Sequence, residues 1–77
     1  MSIIIKLNKI EDLYSFVHDI HDCPCDVDAY HERYIVDAKS ILGLMSLTLS
    51  QPITVRINTD DEELISKFEE ICLKYQG

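Results

Sequence analysis

The spacing of apolar residues along this 77-residue chain switches repeatedly between two and three-to-four, and the order of those switches restricts the fold more than any single motif. Ser2 to Leu7 is apolar and β-branched, with Ile3, Ile5 and Leu7 on one face of an opening strand. Leu13, Phe16, Val17 and Ile20 then fall at helical spacing, behind Asn8 as an N-cap with Glu11 three positions on. From Cys23 the period returns to two. Cys23, Cys25, Val27 and Ala29 alternate with Pro24, Asp26, Asp28 and Tyr30, and Pro24 is tolerated only near the start of such a strand. His31, Glu32 and Arg33 form a turn without the Asn-Gly pair of a tight hairpin, and Tyr34 to Asp37 is a short returning strand.

The second half repeats the alternation of types. Ser40 is suited to cap a helix running to about Leu49. Leu44, Leu47 and Thr48 turn to one side of it, while Ile41, Leu42 and Met45 fall on another, so one set stays exposed. Ser50-Gln51-Pro52 breaks that helix, and Ile53, Val55 and Ile57 mark a last strand. Thr59 or Asp60 caps a final helix whose first turn carries Asp61, Glu62 and Glu63, where the helix dipole favours acids, and whose stripe is Leu64, Phe68, Ile71, Cys72 and Tyr75. The expected order is βαββαβα without repeat or linker. It predicts one α+β domain over residues 1–77, an open-faced sandwich with a four-stranded, mainly antiparallel sheet covered on one face by three helices. A chain this short encloses one core, not two.

Charge narrows the range of partners. A formal charge of -7 repels phosphate backbones and anionic lipid at long range, which argues against nucleic acid and membrane. No apolar run approaches a bilayer span, no export signal is visible, and the expected location is the cytoplasm. The odd cysteine count, Cys23, Cys25 and Cys72, fits reduced thiols there, read as small buried apolar residues. His18, His21, Cys23 and Cys25 offer zinc-ligand chemistry, but their order matches no usual finger spacing and the thiols are expected to face the core, so neither a metal nor another cofactor is expected. The acids 60–63 match no cation-binding loop and read as a solvated helix start. With no phosphate-cradling glycine loop, nucleophile elbow or triad, the chain is not expected to be an enzyme.

The segment Ala38-Lys39-Ser40-Ile41-Leu42-Gly43-Leu44-Met45-Ser46-Leu47 resembles the second-helix signature of HPr, the small phosphocarrier of the bacterial sugar phosphotransferase system. Aligning Phe16-Val17 with the Phe-Val of that family's first helix carries through to Ala38-Lys39-Ser40 without a gap, and βαββαβα is the family's order. The resemblance implies an HPr-like fold over nearly the whole chain. The family's active-site loop reads G-L-H-A-R-P-A, whose histidine carries a phosphoryl group from enzyme I to sugar transporters. This chain has Leu7-Asn8-Lys9-Ile10-Glu11-Asp12-Leu13 in that register. Lys9 takes the place of the histidine, Glu11 that of the phosphate-holding arginine and Asp12 that of the proline. A lysine ammonium is no nucleophile, and two adjacent carboxylates repel a phosphoryl group, so phosphocarrier activity through this loop is not expected.

In Gram-positive members the serine before the second helix is phosphorylated by HPr kinase, and the modified protein binds a regulator of carbon catabolite repression. Ser40 matches that serine, and Lys39, Ile41, Leu42 and Met45 match the docking surface. A phosphate on an N-cap sits near free backbone N–H groups and the positive end of the helix dipole. The resemblance therefore implies a regulatory or adaptor protein, monomeric or a weak homodimer, whose partners are HPr kinase, a catabolite-repression regulator or components of the phosphotransferase system. Two alternatives stay open. One is an HPr-fold binding or dimerisation module unrelated to phosphotransfer; the other is a phosphocarrier that uses an unexpected residue.

Overall fold

A computed structural model of the chain describes residues 2–47 and 51–76. The elements follow the expected order: β1 (Ser2–Lys6), α1 (Ile10–Ile20), β2 (Val27–His31), β3 (Tyr34–Asp37), α2 (Ile41–Met45), β4 (Pro52–Ile57) and α3 (Glu62–Leu73). The strands form one sheet in the order β1-β4-β2-β3, and all three pairings are antiparallel. Placing β4 between β1 and β2 puts the strand richest in β-branched residues inside the sheet, where both edges of its backbone are paired.

The period of two separates the sheet's faces. Ile5, Val27, Ala29, Ile53, Val55 and Ile57 point to the core together with Leu13, Phe16, Val17 and Ile20 of α1 and Phe68 and Cys72 of α3. On the opposite face Ile4 and Ile35 are exposed, so the helices cover one face and leave the other open. Contacts across the helical layer fix its position. The Tyr75 ring meets Phe16 edge-on with centroids 5.4 Å apart, the Tyr75 hydroxyl donates to Asp19 Oδ2 at 3.0 Å, and the Tyr75 carbonyl accepts the Lys6 amide at 2.8 Å. Tyr75, two residues beyond the end of α3, thus ties that helix to both α1 and β1.

Several boundaries differ from the sequence reading. The N-cap of α1 is Lys9, with φ -130° and ψ 160°, not Asn8. Lysine offers no acceptor, so the cap works in reverse: Asp12 Oδ2 accepts the backbone N–H groups of Asn8 and Lys9, each at 3.2 Å. Glu11, expected in that role, is exposed. The second strand begins at Val27, not Cys23. Pro24 has no N–H to give a ladder, and Cys23 to Asp26 form a loop whose two thiols pack half-buried against the core. Only Cys72 is fully buried.

The hairpin turn is tighter than expected: His31 pairs with Tyr34, so only Glu32 and Arg33 lie between the strands. Glu32 adopts φ 54° in place of the glycine or asparagine usual there. The last helix is capped by Asp61, whose Oδ1 accepts from Glu63 N at 2.9 Å and Leu64 N at 3.3 Å, and Thr59 Oγ1 instead accepts the Asp61 amide at 3.1 Å. The expected end of the second helix near Leu49, the inward turn of Thr48 and the break at Ser50 lie outside the described residues; α2 itself ends at Met45.

Candidate functional site

The segment joining β3 to α2 is fixed by its backbone. The Ala38 amide donates to the Val27 carbonyl at 2.9 Å, and Ser40 N–H donates to the Asp37 carbonyl at 3.0 Å. Asp37 Oδ1 accepts the Lys39 amide at 2.9 Å. Ser40 is extended, with φ -94° and ψ 117°, and its Oγ accepts the Gly43 amide at 3.1 Å. Ser40 is therefore the N-cap of α2 and is half-buried. Gly43 permits a close approach: a Cβ there would lie 3.3 Å from Ser40 Cβ, Ser40 Oγ and Val36 Cβ, so these neighbours would have to shift.

Helical spacing divides the apolar residues of this region as expected. Leu44 and Leu47 are buried, whereas Ile41, Leu42 and Met45 are 37%, 81% and 45% exposed. Lys39 differs from its neighbours. It is half-buried, and its Nζ donates to the Cys23 carbonyl, so its ammonium braces the loop before β2. Sequence reasoning missed Tyr14, which lies on α1, is 48% exposed and lines a shallow concavity with Val17, His18, His21 and Ile41. It extends the apolar surface of α2 onto α1. An aromatic residue off the Leu13, Phe16, Val17, Ile20 stripe was the available signal.

Lys9 is exposed at the start of α1. Because the Asp12 carboxylate already occupies the Asn8 and Lys9 amides, an anion approaching this helix start meets a carboxylate instead of open donors. His18 and His21 are exposed at the other end of α1, and among the described residues no three His, Cys, Asp or Glu side chains cluster as metal ligands do. Cys23 Sγ and Cys25 Sγ are 3.1 Å apart. Burial, and next the hydrogen bond to Cys23, push the Cys25 thiol up to about 11. Burial, with a smaller effect from Glu69, pushes Cys72 up to about 12.

Compared with known proteins, residues 14–72 match the family model described as PTS HPr component phosphorylation site. This span includes Ser40 and all of α2 and begins after the loop that carries Lys9. Among solved structures, HPr-C-His from Thermoanaerobacter tengcongensis is 25% identical, with a TM-score of 0.75 over 96% of this chain and 90% of that one. The phosphocarrier protein HPr from Bacillus anthracis str. Ames is 20% identical, with a TM-score of 0.74 over 99% of this chain and 96% of that one. No curated protein sequence matches the chain.

Proposed function

This chain belongs to the HPr family of the phosphotransferase system, and from that premise we propose that it has kept the family's docking face and lost its carrier chemistry. It is a cytoplasmic regulatory or adaptor protein without histidine phosphocarrier activity, switched by phosphorylation of Ser40. It docks through Ile41, Leu42 and Met45, with Lys39 at their edge. Its partners are HPr kinase, a catabolite-repression regulator or other components of the phosphotransferase system.

The observation that carries this reading is the outward set Ile41, Leu42 and Met45 beside a Ser40 hydroxyl held at a helix start. Exposing three large apolar side chains on five helical residues leaves that surface without the burial that stabilises the rest of the fold. A protein partner that covers them recovers it. The phosphate's contribution is local. With only five residues in α2 the dipole is short, so the new charge acts chiefly through nearby backbone N–H groups and through cationic side chains of the partner.

Titration of a catabolite-repression regulator with the unmodified and the Ser40-phosphorylated chain tests this reading. Tighter binding of the phosphorylated form, abolished by Leu42→Asp, is the expected result; equal binding of both forms contradicts the switch. The exposure of Leu42 also favours a second reading, an HPr-fold module that uses the same patch to bind a second copy. Sedimentation velocity separates the two, since self-association rises with concentration and is lost in Leu42→Asp.

A further inference from the structure

Cys23 and Cys25 flank Pro24 in the loop between α1 and β2, with their sulphur atoms 3.1 Å apart. The loop is held on both sides. Cys23 N–H donates to the Ile20 carbonyl at 3.1 Å, the Asn58 amide donates to the Asp26 carbonyl at 2.9 Å, and Lys39 Nζ donates to the Cys23 carbonyl. Both thiols remain half-buried, whereas Cys72 is sealed in the core. A disulfide spans about 2.05 Å, so closing the pair requires an approach of about 1 Å, within reach of side-chain rotation and a small shift of the loop.

We propose that Cys23 and Cys25 form a reversible oxidative modification site, closing to an intramolecular disulfide when the chain meets a low-molecular-weight disulfide of the glutathione type. Cys23 loses its proton to solvent and attacks one sulphur of glutathione disulfide, expelling a glutathione thiolate. Cys25 then gives up its proton and attacks the Cys23 sulphur of the mixed disulfide, expelling the second glutathione thiolate. The two cysteines lose two electrons and two protons, and one glutathione disulfide becomes two glutathione thiols. Burial keeps the Cys25 thiol largely protonated, which slows its attack, and the 3.1 Å separation of the two sulphur atoms offsets the low thiolate abundance by proximity. A ring closed across one residue is strained, and strained disulfides are readily reduced, so excess reduced glutathione reopens it. The ring forms in the loop whose carbonyl holds Lys39, next to Ser40.

The test uses the full chain incubated with glutathione disulfide, then denatured, alkylated and weighed intact. The expected product is lighter by two hydrogens, carries no glutathione, and takes one alkyl group, at Cys72, where the reduced chain takes three. Excess reduced glutathione restores all three sites. The Cys25→Ser chain accumulates glutathione on Cys23, because nothing resolves the adduct. Three alkylatable thiols after oxidation, stable glutathione on the native chain, or covalent dimers in place of the internal bond would each overturn the proposal.

Discussion

The Gly43 amide donates to Ser40 Oγ at 3.1 Å, so the hydroxyl proposed as the phosphorylation site is also the cap of α2. Ser40→Ala is expected to lower unfolding stability by about 1 kcal/mol, as loss of a side-chain cap usually does, while Ser40→Asp, which keeps an acceptor, stays within about 0.5 kcal/mol of the native chain. Urea unfolding of the two variants measures the difference. If they are equally stable, the cap contributes nothing.

Gly43→Ala tests the same contact from the other side. Alanine is the better helix former by about 1 kcal/mol, but its Cβ would sit 3.3 Å from the Cβ atoms of Ser40 and Val36. Those atoms move only with the backbone, so overpacking of about 1–3 kcal/mol exceeds the gain. Net destabilisation by about 1 kcal/mol is predicted, and a stabilised variant would show that α2 shifts freely.

Leu42 and Leu44, two positions apart, should behave in opposite ways. Leu42 is 81% exposed and Leu44 is 2% exposed. Leu44→Ala is predicted to cost about 2–5 kcal/mol through the cavity it leaves, whereas Leu42→Ala stays within about 0.5 kcal/mol and weakens partner binding. Chemical denaturation and a binding titration on the same preparations read both effects.

Alkaline pH should unfold the protein through two groups. Burial first, and then the hydrogen bond to Asp19, push the Tyr75 hydroxyl from its ordinary value of 10.0 up to about 12, and burial pushes Cys72 from 9.0 to about 12. In both cases the native state favours the protonated form. The associated stability is complete below pH 9, erodes as the unfolded chain ionises first, and is lost as pH approaches about 12. Tyr75→Phe keeps the edge-on contact with Phe16 but removes the hydroxyl, so its stability falls less steeply between pH 10 and 12. Thermal melts across this range test the slope; parallel profiles for the two chains would contradict it.

The hairpin offers a gain. Glu32 stands at φ 54°, a conformation that costs a residue with a Cβ about 1–2 kcal/mol. Glu32→Gly removes that cost, partly offset by the greater freedom of glycine in the unfolded chain. A net stabilisation of about 0.5–1 kcal/mol is expected in urea unfolding.

Element order was readable because the switch in period reports which face of each segment is buried, and the outward set Ile41, Leu42 and Met45 followed from the same geometry. The misplaced boundaries share another cause. At α1 the acceptor is Asp12, three residues inside the helix, while the cap itself is a lysine with nothing to accept, so a search for a capping side chain settles on Asn8. At the second strand, Cys23 and Cys25 pack against the core from a loop and imitate strand alternation without any pairing. Ahead of α3, Thr59, Asp60 and Asp61 are all competent caps, and the choice of Asp61 depends on where Phe68 and Cys72 must enter the core. The bond from Lys39 to the Cys23 carbonyl joins residues 16 positions apart, a tertiary contact that no local pattern encodes.

Intact mass after incubation with HPr kinase and ATP, beside Ser40→Ala and a parallel reaction with enzyme I and phosphoenolpyruvate, tests the central claim most directly. The account predicts one added phosphate in the kinase reaction, none in Ser40→Ala, and none from enzyme I, because in the family's register Lys9 takes the place of the histidine and Glu11 that of the phosphate-binding arginine. Phosphate gained from enzyme I, or an unchanged mass after the kinase reaction, would contradict it.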